Sequence, residues 1–98
     1  MFYTYIIRCK NNSLYTGYTT DIVRRMNEHE IGINSKYTKA NGFLKLEVFF
    51  VSESKSKAMK LEYYIKKLNR QKKLWVIDNP LDFIEEVEKD FQIELGVL

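Results

Sequence analysis

The sequence predicts an α+β fold, a small and mostly antiparallel three-stranded sheet flanked by helices. Three observations lead there. Two runs rich in aromatic and β-branched residues open the chain with an Asn-Asn-Ser turn between them, and a third such run lies near residues 44–51. The segments between and after these runs repeat apolar residues at helical spacing. At 98 residues there is room for one modest core.

The first run, Phe2 to Cys9, reads as a strand, Asn11-Asn12-Ser13 supplies turn residues, and Leu14 to Thr19 reads as its hairpin partner. Side chains alternate along a strand, so Tyr3, Tyr5, Ile7 and Cys9 share a face, as do Tyr15, Gly17 and Thr19. Two phenols can therefore meet on one side of the sheet. Gly17 is expected to leave open backbone beside them for the approach of another chain or a ligand. Cys9, the single cysteine, cannot form an internal disulfide and reads as a small hydrophobe.

Any of Thr19, Thr20 and Asp21 could cap the helix that follows, near residues 21–30, whose apolar stripe reads as Ile22, Val23 and Met26. Arg25 and the only histidine, His29, lie four apart and so stack at the edge of that stripe. Gly32 to Gly42 has turn formers and lysines and reads as an exposed loop, before a third strand over Leu44 to Val51. Ala58, Leu61, Ile65 and Leu68 mark a helix over residues 55–69, with Glu62 at the margin of its stripe. A carboxylate there needs a partner, which a divalent cation, an arginine or a lysine would supply. Two further helical segments are expected, from Gln71 to Ile77 and, after the break at Pro80, from Leu81 to Phe91 with Leu81, Ile84, Val87 and Phe91 facing the protein.

Charge divides the chain. Residues 78–98 hold seven acids and one lysine, a net of −6, leaving +9 for residues 1–77 out of the total of +3. Lysines and arginines crowd residues 55–73, Lys66, Lys67 and Arg70 among them, where they could neutralise phosphates and attract a polyanion. Residues 1–77 thus read as a basic functional unit and 78–98 as an acidic helical extension packed on the same domain. A second reading of the extension is nucleic-acid mimicry that shields the basic surface. No apolar run approaches the roughly 20 residues of a membrane span, and the N-terminal strand does not resemble a signal peptide, which places the protein in the cytoplasm. One histidine and one cysteine make no zinc cluster, and no glycine-rich loop resembles a nucleotide cradle.

The tyrosines of Tyr3-Thr4-Tyr5 and Tyr15-Thr16-Gly17, then Arg25 and His29, then Glu62, resemble the GIY-YIG nuclease superfamily over roughly residues 3–73. Length and the segment Ser35-Lys36-Tyr37-Thr38-Lys39 look like its small stand-alone bacterial members. Tyr3-Thr4-Tyr5 departs from the Gly-Ile-Tyr of the first motif, and Thr16 replaces the central isoleucine of the second, while both tyrosines are kept. Tyr3 could stand for the first tyrosine, but a spacing of ten residues to Tyr15 favours Tyr5. Asn69 falls only seven residues after Glu62, closer than the late asparagine of several members, and that role is not transferred.

The resemblance implies a metal-dependent endonuclease acting on DNA, and because nothing in this sequence resembles an appended sequence-reading domain, branched, flapped or irregular structures linked to repair or recombination are the expected substrates. Glu62 would bind a single Mg²⁺ or Mn²⁺, and Arg25 would hold the phosphate through its planar fork of donors. Tyr5 or Tyr15 would activate or orient the attacking water, with the metal and Arg25 lowering a phenol pKa ordinarily near 10. His29 would hydrogen-bond to the tyrosine or accept its proton. Lys36, Tyr37 and Lys39, together with Lys66, Lys67 and Arg70, would contact nucleic acid, DNA ahead of RNA, with RNA kept open because phosphate recognition alone carries no sugar information. Two other function classes stay open: a binding module with weak cleavage, and a subunit that needs a protein partner or a second copy.

Overall fold

A computed structural model describes residues 1–98. Strands β1 (Phe2–Cys9) and β2 (Leu14–Thr19) form the expected hairpin, and β3 (Phe43–Ser52) pairs antiparallel with the other side of β1. Its turn is closed by Asn11, whose Oδ1 accepts from the Ser13 backbone N–H at 3.1 Å and the Ser13 hydroxyl at 2.6 Å, while Asn12 takes a φ of 71°. A fourth strand, β4 (Glu94–Leu95), extends the three expected ones and gives the order β2-β1-β3-β4. Two residues are too few to show a period of two, so only the free edge of β3 reveals them as a strand.

Helix α1 (Ile22–Ile31) is capped by Asp21, whose carboxylate accepts from Arg24 N, and stopped by Gly32 at a φ of 76°. Ile22 is buried and Met26 partly so, but Val23 points into solvent and leaves the expected stripe. The segment read as a loop contains a helix, α2 (Lys36–Asn41), capped by Ser35. Six residues hold too few turns for an apolar period, and an isolated helix of that length is unstable without docking. Helices α3 (Lys55–Lys66), α4 (Arg70–Asp78) and α5 (Pro80–Phe91) follow β3. Ser54 caps α3, Asn69 caps α4 by accepting from Lys72 N, and Pro80 takes the first turn of α5, where its missing N–H costs nothing.

The sheet is covered on both faces. Tyr5, Ile7, Cys9 and Phe49 lie against Ile22 of α1. On the other face Ile6, Val48 and Phe50 pack with Leu61 and Ile65 of α3, Val76 of α4, and Phe83, Val87 and Phe91 of α5. The stripe of α5 is therefore rotated from the expected one: Phe83 is fully buried and Leu81 exposed. Thr4, on this second face, satisfies its buried hydroxyl by donating to the Ala58 carbonyl at 2.9 Å. No helix is long and apolar enough to cross a membrane.

Candidate active site

Alternation and register bring the two tyrosines together. Tyr5 pairs with Gly17 and Ile7 with Tyr15, so both phenols emerge on the α1 side of neighbouring strands. A Cβ on residue 17 would stand 2.5 Å from the Tyr5 hydroxyl oxygen. The backbone expected to lie open at Gly17 is thus covered by the Tyr5 ring, and glycine is required there because the phenol takes the space of a side chain.

Helix α1 supplies the next two groups. His29 Nε2 lies 2.7 Å from the Tyr5 hydroxyl, and Arg25 Nε donates to the same oxygen at 3.3 Å. Arg25 Nη1 donates to Glu28 Oε1 at 3.1 Å and to the Asn34 carbonyl at 3.0 Å. Nη2 makes no hydrogen bond within the protein, so one edge of the guanidinium stays available. Short α2 completes the surround: Thr38 Oγ1 lies 3.1 Å from His29 Nδ1, and Tyr37 stacks on Tyr15 with ring centroids 5.0 Å apart. Phe43 stacks on the imidazole, at 6.1 Å between centroids.

Burial dominates the electrostatics. It pushes the Tyr5 phenol up to about 12, against the opposing hydrogen bond and charge of Arg25. Arg25 acts in the expected direction, through its hydrogen bond and its charge, but loss of hydration outweighs this one cation. Burial likewise pushes His29 down to about 4, with the Arg25 charge adding to it, so the imidazole is neutral at pH 7. Burial disfavours the charge on Arg25, yet its hydrogen bonds to Tyr5 and Glu28 outweigh that and raise its pKa. Glu28 is held below its ordinary value by its hydrogen bonds to Arg25 and Asn34.

Glu62 reaches this group from α3. Ala58, Leu61 and Ile65 anchor that helix in the opposite face of the sheet, leaving Glu62 partly buried at the β2 side. Its charge is felt at Tyr5, where it helps raise the phenol pKa. Lys66 Nζ stands 3.6 Å from Glu62 Oε2 and 5.8 Å from the centre of the Tyr15 ring, so one lysine neighbours both residues.

Residues 1–74 match the model of the GIY-YIG catalytic domain. This chain belongs to the GIY-YIG family. It is also similar to a group of small UPF0213 proteins: it is 42% identical over 93 residues to one from Clostridium perfringens, covering 95% of this chain and all of that one. It is 47% identical over 76 residues to one from Staphylococcus haemolyticus, covering 78% and 93%. The solution NMR structure of the UPF0213 protein from Bacillus halodurans shares 44% identity and a TM-score of 0.52, over 80% of this chain and 84% of that one.

Within this GIY-YIG domain the structure gathers Tyr5, Tyr15, Arg25 and His29 into one cluster with Glu62 at its margin. The basic residues singled out from sequence are more dispersed. Lys36 and Lys39 are exposed on α2, while Tyr37 turns inward onto Tyr15. Lys67 lies over the exposed Tyr63 ring at 4.4 Å, and Arg70 ties α4 to the hairpin turn by donating to the Asn12 carbonyl at 2.9 Å. Sequence reading missed Glu28, Asn34 and Phe43 around the cluster and placed Thr38 in a loop. Glu28 had a signal, its helical spacing of three from Arg25; the others are brought in by packing alone.

No group of three or more His, Cys, Asp or Glu side chains converges on one point. Glu62 offers a single hard oxygen ligand. That donor set suits a Mg²⁺-like ion, which keeps several waters and completes its shell from substrate phosphates.

Proposed function

We propose that this protein is a divalent-metal-dependent endonuclease that hydrolyses phosphodiester bonds in DNA, with branched, flapped or irregular structures as preferred substrates and repair or recombination in the cytoplasm as setting. One observation carries the reading: the Tyr5 hydroxyl is held between a cation, Arg25, and a neutral imidazole, His29, at 3.3 and 2.7 Å. A phenol buried only for packing needs one hydrogen-bond partner. Two partners of opposite role, beside a guanidinium with a free edge, suit proton transfer next to a bound anion.

Arg25 holds a phosphate oxygen through Nη2, steadied by Glu28 and the Asn34 carbonyl. In the resting site its Nε donates to the Tyr5 oxygen, and release of that hydrogen bond frees the oxygen for the attacking water. Tyr5 accepts a proton from that water while its own passes to His29 Nε2, and the resulting hydroxide forms the new bond to phosphorus as the bond to the leaving oxygen breaks, that oxygen taking a proton from solvent. The concerted order avoids a free phenolate, which a phenol pushed up to about 12 would disfavour. Glu62 would hold Mg²⁺ or Mn²⁺, which when bound stabilises charge on the phosphate and on the leaving oxygen. Lys66, now on Glu62, moves aside toward the DNA backbone. Tyr15, backed by Tyr37, lines the face over which the strand passes.

Phosphate contact by Lys36, Lys39, Lys66, Lys67 and Arg70 supplies affinity, and a second copy or a protein partner extends a small footprint. The Glu62–Lys66 pair favours one alternative, a nucleic-acid-binding module in which the lysine keeps its place and cleavage is weak.

The test is cleavage of labelled single-stranded, duplex, flap and four-way-junction DNA, and of matching RNA, with Mg²⁺ or Mn²⁺. Folded Arg25→Ala and Glu62→Ala variants run beside the wild type. Metal-dependent cutting abolished by both substitutions supports the nuclease. Salt-sensitive binding without cutting supports the binding module, and cutting unchanged in both variants sinks the assigned site.

A further inference from the structure

We propose that Thr38 is a positioning residue of this site: its hydroxyl holds His29 in the tautomer protonated at Nδ1, which leaves Nε2 bare to receive the Tyr5 proton. The use made of that proton rests on the nuclease reading above; the tautomer is inferred from the hydrogen bonds of Tyr5, independently of that reading.

The Tyr5 hydroxyl has two partners. Arg25 Nε is only ever a donor, so it takes up a lone pair of the phenol oxygen and cannot receive the phenol hydrogen. His29 Nε2, at 2.7 Å, is then the one acceptor within reach. Tyr5 is 1% exposed, so its O–H has no recourse to bulk water, and leaving it unmade would cost about 1–3 kcal/mol. Nε2 therefore carries no hydrogen. A neutral imidazole keeps one, and it must sit on Nδ1, where Thr38 Oγ1 at 3.1 Å accepts it.

Thr38 suits the role because α2 gives it no freedom. It is 2% exposed, and the N-cap at Ser35 and the Thr38 carbonyl bond from Gly42 N fix the helix at both ends. The adjacent Tyr37 stacks on Tyr15, so consecutive residues of one short helix brace the histidine and the second tyrosine. When the Tyr5 proton reaches Nε2, the imidazole becomes a cation with hydrogens on both nitrogens. Thr38 continues to accept from Nδ1 and the ring does not turn. An imidazole without this acceptor could place its hydrogen on Nε2 and point it at Tyr5, where no proton could then be received.

His29 is the only histidine, so ¹⁵N labelling of imidazole gives the spectrum of this one ring. Long-range ¹H–¹⁵N spectra of the full chain at pH 7 should show Nδ1 as the hydrogen-bearing nitrogen and Nε2 as the bare one. Thr38→Val, which keeps shape and removes the acceptor, should shift the ring to the other tautomer or a mixture; Thr38→Ser should retain the wild-type pattern. Hydrogen on Nε2 in the wild type overturns the proposal even if no variant folds, and so does an unchanged pattern in folded Thr38→Val. In cleavage assays kcat should fall about 10- to 100-fold in Thr38→Val with little change in KM, and recover in Thr38→Ser. An undiminished kcat in Thr38→Val overturns the positioning role. Should the wild type cut nothing while its ring shows the expected tautomer, the nuclease reading fails and the hold of Thr38 on His29 stands.

Discussion

The Tyr5 hydroxyl and His29 Nε2 lie 2.7 Å apart across 24 residues of sequence, and this bond fastens the last turn of α1 to the middle of the central strand. It also accounts for a buried polar pair that neither residue could sustain alone. Each satisfies the other, and Arg25 and Thr38 satisfy what remains.

Tyr5→Phe should destabilise the fold by about 1–3 kcal/mol, because it strands a buried imidazole nitrogen and the Arg25 Nε–H while leaving packing intact. Cleavage should fall by about 100-fold or more. Urea denaturation and single-turnover rates on the same preparation check both; a stable variant that cuts normally would remove Tyr5 from the mechanism.

His29 makes stability depend on pH in a definite direction. Its folded pKa is depressed from 6.5 to about 4, so below pH 6.5 the unfolded chain takes up a proton that the fold refuses. The stabilisation is complete above about pH 6.5 and is lost as the pH falls toward about 4. Between pH 7 and pH 5 the wild type should lose about 1–2 kcal/mol more than His29→Gln, which has no such group. Denaturation curves at the two pH values decide it, and parallel losses in both proteins would contradict a buried neutral imidazole.

Gly17→Ala should be far more damaging than a methyl on an ordinary strand, since its Cβ would meet the Tyr5 oxygen at 2.5 Å. Displacing the phenol breaks its bonds to His29 and Arg25 together. A loss of about 1–3 kcal/mol is expected, with cleavage reduced as in Tyr5→Phe. The double variant with Tyr5→Ala, which vacates the space, should recover part of the stability relative to Tyr5→Ala in a thermal melt, and no recovery would argue against the clash.

Phe83→Ala should cost about 3–5 kcal/mol, as Phe83 is fully buried between Phe50 and Tyr64. Removal of residues 79–98 should for the same reason unfold the domain rather than release activity. Circular dichroism of the truncated chain tests this. A folded truncation that binds DNA more tightly would support the shielding role of the acidic extension instead.

Local patterns in the sequence determined much of this protein. Period-two alternation on either side of a short turn is enough to put Tyr5 and Tyr15 on one face, and a spacing of four residues is enough to stack Arg25 on His29. Helix α3 was equally legible, because its apolar stripe runs over several turns and leaves Glu62 at the edge. Where the signal was short or non-local, tertiary structure decided. Helix α2 and strand β4 have six and two residues and exist through what they dock against. Thr38 reached His29 through that docking, and Gly17 lost its open backbone to a ring from the neighbouring strand. The titration of Tyr5 and His29 was decided last of all. A pKa depends on how much water and charge surround a group, and that is a property of every layer packed over it rather than of its neighbours in sequence.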